Sequence, residues 1–156
     1  MIELNDKTRQ DFLNREWVQR LLDAGVDMSD AKYCIYRLGS KDFIYYLPSF
    51  LAAEDTDDEY DNSYLPTYTV SELLYKLHEW IFPTIGGKYY HGGLTMIKDA
   101  PFYMFYYHLR YNSDIKDDYI YAEFEYPIES LASLLIQCHK KDIGISTKDT
   151  GNISDK

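Results

Sequence analysis

The sequence predicts an α+β protein: an antiparallel sheet, built from an N-terminal hairpin and a three-stranded meander, with about three helices packed on one face. Three observations carry that expectation. Apolar residues recur at three- and four-residue steps in three separate stretches, the period of a helix with one buried face. Short runs rich in β-branched and aromatic residues lie between them, among them LTMIK, FYMFYYHLR and YIYAEFEY, and these read as strands. The links between those strands are short and polar, which favours antiparallel neighbours, and helices segregated from an antiparallel sheet define the class.

Taken in order, TRQDFLNREWVQRLLDAG at residues 8 to 25 places Phe12, Leu13, Trp17, Val18, Leu21 and Leu22 on one helical face. Gly25 stands where a left-handed cap ends such a helix. KYCIYRL and DFIYYL, split by GSK, read as a hairpin. After Pro48 the chain turns polar, and an acidic loop is expected at about 52–66. TVSE at 69–72 fits a capping box, with Thr69 as N-cap and Glu72 reaching back. Val70, Leu73, Leu74, Leu77, Trp80 and Ile81 then line one face of a helix that Pro83 ends. The meander follows, its strands joined through DAP and NSDIKDD. Pro127 suits the first turn of a last helix with Ile128, Leu131, Leu134, Leu135 and Cys138 on one side. Residues 1–144 are read as a single domain and 145–156 as a flexible tail.

Three of these stretches, WVQRLLDAGVDMSDAKYCIYR, TYTVSELLYKLHEWI at 67–81 and YPIESLASLLIQCHKKDIG at 126–144, together resemble small uncharacterised proteins of bacteriophages and mobile elements of gut Bacteroidales. The resemblance covers residues 17 to 144. It rests on a leading helix that ends in a Leu-x-x-x-Gly step, a capped helix after an acidic stretch, and a final helix that begins at a proline. It implies a mobile-element origin and a small size, and it assigns no catalytic residue.

Composition narrows the function classes. With 26 acidic residues against 16 basic ones the formal net charge is −10, a poor match to phosphate backbones, so direct nucleic-acid binding is not expected. Six of the acids, Glu54, Asp55, Asp57, Asp58, Glu59 and Asp61, fall in one run without a base. Cys34 and Cys138 form no zinc or redox spacing and read as reduced thiols. The N-terminus lacks an apolar run behind a basic segment, and no stretch has the length of an apolar spanning helix. The expectation is a cytoplasmic protein with no membrane contact.

Motifs for chemistry are incomplete. In GGKYYHGG at 86–93, Gly87 is followed by Gly92, but Gly93 and Leu94 stand where a phosphate loop needs lysine and a hydroxyl, so the stretch reads as a connector. Acids alternate at 55, 57, 59 and 61 as in a calcium loop, but the sixth and twelfth loop positions are Tyr60 and Pro66 instead of glycine and glutamate. Cys138 and His139 are adjacent on a helix and so point in different directions. No catalytic residue, metal ligand or cofactor is therefore assigned. Alternation along the meander puts Tyr103, Phe105, Tyr107 and Leu109 inside, and Phe102, Met104, Tyr106, His108 and Arg110 outside. Next to them Ile120, Ala122 and Phe124 point inward, while Tyr119, Tyr121, Glu123 and Glu125 point outward.

An outer face of tyrosines beside carboxylates suits a protein interface better than a base-stacking platform. The expected function is a non-enzymatic protein-binding module. Its expected binding residues are the acidic run and Tyr106, Tyr119 and Tyr121, and its partner is a basic or nucleic-acid-binding protein. The alternative is a small hydrolase or nucleotide-binding enzyme using His91 and nearby carboxylates, which a concave pocket joining His91 to His108, Asp99 or Glu123 would favour.

Overall fold

The computed structural model describes residues 1–54, 64–81, 84–85, 87–111 and 114–140. Among them the order is β1 (Ile2–Glu3), α1 (Arg15–Asp23), β2 (Tyr33–Leu38), β3 (Lys41–Tyr46), α2 (Leu47–Glu54), β4 (Tyr64–Thr67), α3 (Val70–Lys76), β5 (Trp80–Ile81), β6 (Thr84–Ile85), β7 (Lys88–Asp99), β8 (Phe102–Tyr111), β9 (Asp114–Phe124) and α4 (Pro127–Lys140). The fold is α+β, with two antiparallel sheets. The chain divides into two compact units, Met1–Glu72 and the residues from Leu73 onward. The expected hairpin and meander both form, but each sits in its own sheet.

In the first unit the strand order is β1-β3-β2-β4. Helix α1 begins at Arg15, not at residue 8, because the Asn14 side chain caps it by accepting the Trp17 N–H at 3.0 Å. The residues before the cap are used differently: Phe12 bridges to Thr69, and the Leu13 N–H donates to the Tyr68 carbonyl. At the far end Gly25 has φ +86°, and the Val26 N–H reaches back to the Leu21 carbonyl at 3.0 Å, the expected left-handed closure. Where a loop was expected after Pro48, α2 forms instead. Its Phe50 is buried, with ring centroids 5.2 Å from Tyr36 and 5.4 Å from Tyr45 and Tyr64. That cluster lies on the Cys34 and Tyr36 side of β2, whereas Ile35 and its register partner Ile44 are buried on the other side. Both faces of this sheet are thus covered.

Residues 64–66, also expected in the loop, belong to β4, whose Pro66 is tolerated because β4 is an edge strand. The rest of the expected loop, and the expected tail, lie outside the described residues. The capping box of α3 is present: the Thr69 N–H donates to Glu72 Oε1 at 3.0 Å, and the Glu72 N–H to Thr69 Oγ1 at 3.3 Å.

Helix α3 stops at Lys76, well short of Pro83, and Leu74 is 41% exposed instead of facing a core. In the second unit Trp80 and Ile81 form β5, paired with Gly93 and Gly92. The order there is β5-β7-β8-β9, with β6 also on β7. The glycine-rich stretch expected as a connector supplies the first half of β7, and most of the expected NSDIKDD link is the start of β9.

Helix α4 packs on β8 and β9. Its Ile128, Leu131, Leu134, Leu135 and Cys138 are buried, as are Leu73 and Leu77 in the same unit. Ser130 fastens the start of α4 to the sheet: its hydroxyl accepts the Phe124 N–H at 2.9 Å and donates to the Tyr103 carbonyl at 2.6 Å. At the other end Gln137 Nε2 donates to the Tyr121 carbonyl at 2.6 Å. Burying a leucine side chain contributes about 1.5–3 kcal/mol, so this one helix face anchors the meander.

Candidate functional site on the outer face of the meander

Strand register decides what the meander shows to solvent. Tyr107 stands opposite Leu94 and Ile120, whereas Tyr106 stands opposite Thr95 and Tyr121. Neighbouring rows alternate between the two faces of a sheet. The Tyr107 row is the inner one: Tyr107, Leu109, Ile120 and Ala122 are buried, with Tyr103, Phe105 and Phe124 half-buried. The Tyr106 row points the other way, and Tyr121 is 55% exposed. Phe102, Ile97, Arg110 and Glu123 are exposed too. The alternation read from the sequence therefore holds along β8 and along the described part of β9.

Two depressions lie on this outer face. One, of about 380 Å³, is an apolar saddle lined by Ile97, Met104, Tyr106 and Tyr121. Glu123, opposite Met104 in register, stands beside it. The other, of about 370 Å³, is a polar groove lined by Glu79, His91, Thr95, Tyr106, His108 and Arg110. Its remaining lining includes Gly92 and Gly93, which bring no side chain into the space. Tyr106 is the wall the two share.

Each groove residue has a structural reason for its place. His91 and Arg110 are direct register partners, so their side chains leave the sheet on one side. A register shift between His108 and Arg110 marks a bulge, which bends the local strand and re-aims its side chains. Gly92 fits tightly at that point, since a Cβ there would meet the His108 carbonyl oxygen at 3.0 Å and the Leu109 side chain at 3.2 Å. Glu79 is brought in by backbone bonds on either side of the sheet edge. The Leu94 N–H donates to its carbonyl at 2.7 Å, and the Tyr107 hydroxyl donates to the His78 carbonyl at 2.5 Å. Burial, and then the charge of Cys138, push the Tyr107 phenol well above its usual range, so it stays a donor.

Of the binding residues expected from sequence, Tyr106 and Tyr121 meet at the saddle. Tyr119 lies on β9 opposite His108, and its side chain is outside the described residues. Glu54 closes α2, while Asp55, Asp57, Asp58, Glu59 and Asp61 are outside the described residues. His91 does share a groove with His108; the carboxylate among its described lining residues is Glu79 and not Glu123, and the side chain of Asp99 is outside the described residues. Glu79, Thr95 and Arg110 are the groove side chains to which sequence reasoning gave no role. Cys138 is buried and His139 exposed, so the adjacent pair points apart as expected. Among the described residues no three His, Cys, Asp or Glu side chains group as a metal site requires. No helix among them is long and apolar enough to cross a membrane.

No family model, curated protein or solved structure matches this chain. What fold and site define is an α+β protein with an open-faced antiparallel meander. One end of that face is apolar and the other polar.

Proposed function

We propose that this chain is a non-enzymatic protein-binding module of the phage or mobile-element type its sequence resembles. It works in the cytoplasm and docks a basic or nucleic-acid-binding protein through the outer face of the meander and the acidic run from Glu54 to Asp61. The observation that carries this reading is the saddle: Ile97, Met104, Tyr106 and Tyr121 gather on a solvent-facing sheet with Glu123 beside them. Tyrosine offers a large contact area at small entropic cost, and a carboxylate beside an apolar patch favours a cationic group on the partner. The same carboxylate opposes a nucleic-acid backbone. The test is affinity capture of host proteins on the full chain, in parallel with Tyr121→Arg. The reading predicts a basic protein retained by the parent and lost by the variant; equal retention on both overturns it.

A second reading has one observation in its favour, the groove that joins His91 to His108. That is the arrangement a small hydrolase or nucleotide-binding protein needs, with Glu79 as the nearby carboxylate. Turnover of phosphate or carboxylate esters by the purified chain, lost in His91→Ala and His108→Ala, separates it from the first.

A further inference from the structure

The polar groove departs from the acidic balance of the chain as a whole: its fixed charges, Glu79 and Arg110, cancel, and two imidazoles join them. In a protein of net charge −10, Arg110, His91 and His108 bring a guanidinium and two imidazoles to one cavity of about 370 Å³. That volume lies in the range of small-ligand sites. His91 and Arg110 face each other across β7 and β8, and His108 precedes Arg110 by two residues on β8. Three N–H-bearing groups converging from two strands suit an anion with several oxygens, which a phosphate is, and guanidinium is well shaped for it.

Tyr106 continues the groove two residues before His108, a step of about 7 Å along a strand. This is close to the reach from the phosphate of a nucleotide to its base. The Tyr106 ring gives a flat surface on which a base can stack. Glu79 and Thr95 add a carboxylate acceptor and a hydroxyl, groups that hold sugar hydroxyls. Gly93 brings no side chain into the groove.

We infer that this groove binds a mononucleotide, with the phosphate on Arg110, His91 and His108, the sugar against Glu79 and Thr95, and the base on Tyr106. The inference rests on the second reading above, nucleotide binding in this groove, and names its ligand; it is separate from the docking reading, which uses the saddle and shares Tyr106 alone.

Titration calorimetry of the full chain tests it, with nucleoside 5′-monophosphates, the matching nucleosides and inorganic phosphate as separate arms. At least one nucleotide binds with a dissociation constant below about 1 mM, while its nucleoside and phosphate alone bind at least about tenfold more weakly. Arg110→Gln weakens the nucleotide by about tenfold or more, as loss of a charge-assisted contact does. Tyr106→Ala weakens it about fivefold or more and leaves phosphate binding unchanged, whereas Tyr106→Phe, which keeps the ring, binds as the parent does. Tyr121→Arg leaves nucleotide affinity within about twofold, because Tyr121 lines the saddle and not the groove. The inference is overturned if no nucleotide binds up to about 10 mM, if phosphate alone binds as tightly as the nucleotide, or if binding is unmoved by Arg110→Gln. Any of those results, with Tyr121→Arg still losing a captured protein, removes the nucleotide site and leaves the docking reading standing.

Discussion

Tyr106 and Tyr121 stand directly opposite each other across β8 and β9, on the side of the sheet turned away from α4. Tyr107 and Ile120, one residue along each strand, are opposite each other on the side that α4 covers. A one-residue step thus separates a row that holds the fold from a row turned to the opposite face of the sheet.

Tyr121→Ala should therefore cost little. An exposed cross-strand pair contributes about 0.2–1 kcal/mol, and urea denaturation of the variant should show a loss within that range. A loss above about 2 kcal/mol would mean that Tyr121 is packed, and the outer face would not be available for a partner.

Tyr107→Phe tests the inner row. The hydroxyl bonded to the His78 carbonyl is removed and a part-buried acceptor is left, which should cost about 1–3 kcal/mol. The alkaline limb offers a second reading of the same contact. The folded-state phenol is raised above its ordinary 10.0, by burial first and the charge of Cys138 second. Its contribution is therefore complete below about pH 10 and is lost as pH rises from there toward the folded value. Stability measured from about pH 9 to 11 should fall less steeply in Tyr107→Phe than in the parent.

Asp42 should dominate the acid limb of the first unit. Its carboxylate meets the Arg15 guanidinium at 3.0 Å and that of Arg37 at 3.1 Å. Burial by itself would raise the carboxyl, but hydrogen bonds from Arg37 and Arg15, with their charges, outweigh it and hold the group below 3.8. A depressed carboxyl stabilises above its unfolded value, and that contribution is lost as pH falls through the folded one. Asp42→Asn should lower stability at pH 7 and flatten its decline below about pH 4; a decline as steep as the parent's would assign the acid sensitivity elsewhere.

Gly92→Ala probes the tight crossing of β7 over the bulge. The added methyl meets a backbone carbonyl oxygen at 3.0 Å, so its neighbours have to give by a few tenths of an ångström, and overpacking of this kind costs about 1–3 kcal/mol. Thermal unfolding should show the loss. A neutral result would mean that the bulge yields easily.

Local signals were legible in the sequence where local physics decides. The Thr69 and Glu72 box is satisfied by two residues three apart, and the buried stripe of α4 needs only its own period to be read. Helix α3 was over-extended because Leu77, Trp80 and Ile81 keep a helical spacing. Pairing of Trp80 and Ile81 with Gly93 and Gly92 overrides it, and no local pattern records that pairing. Helix α2 was hidden because acids follow it at once and one buried residue, Phe50, anchors it. Strand β4 was hidden by Pro66, which edge position alone makes acceptable.

The two tyrosines of the saddle are readable from alternation; of the groove, the sequence names His91 with His108 but not the residues that complete it. The groove depends on His91 meeting Arg110 across a hairpin and on Glu79 being carried in by bonds from Leu94 and Tyr107 to the backbone at 79 and 78. The available signal was the pair of glycines after His91, which marks close backbone approach within a strand.

The central claim is that the outer face of the meander and the acidic run bind a protein, each in its own way. The direct measurement is the kinetics of a captured partner on the full chain, at low and high salt, for the parent, for Tyr106→Ala with Tyr121→Ala, and for a variant with Asp55, Asp57, Asp58 and Glu59 changed to Asn and Gln. The tyrosine variant should raise the off-rate by about tenfold or more, as loss of aromatic anchors does. The carboxylate variant should slow the on-rate and lose most of its salt dependence, as loss of steering charge does. Association and dissociation rates equal to the parent's for both variants, at both salt concentrations, would contradict it.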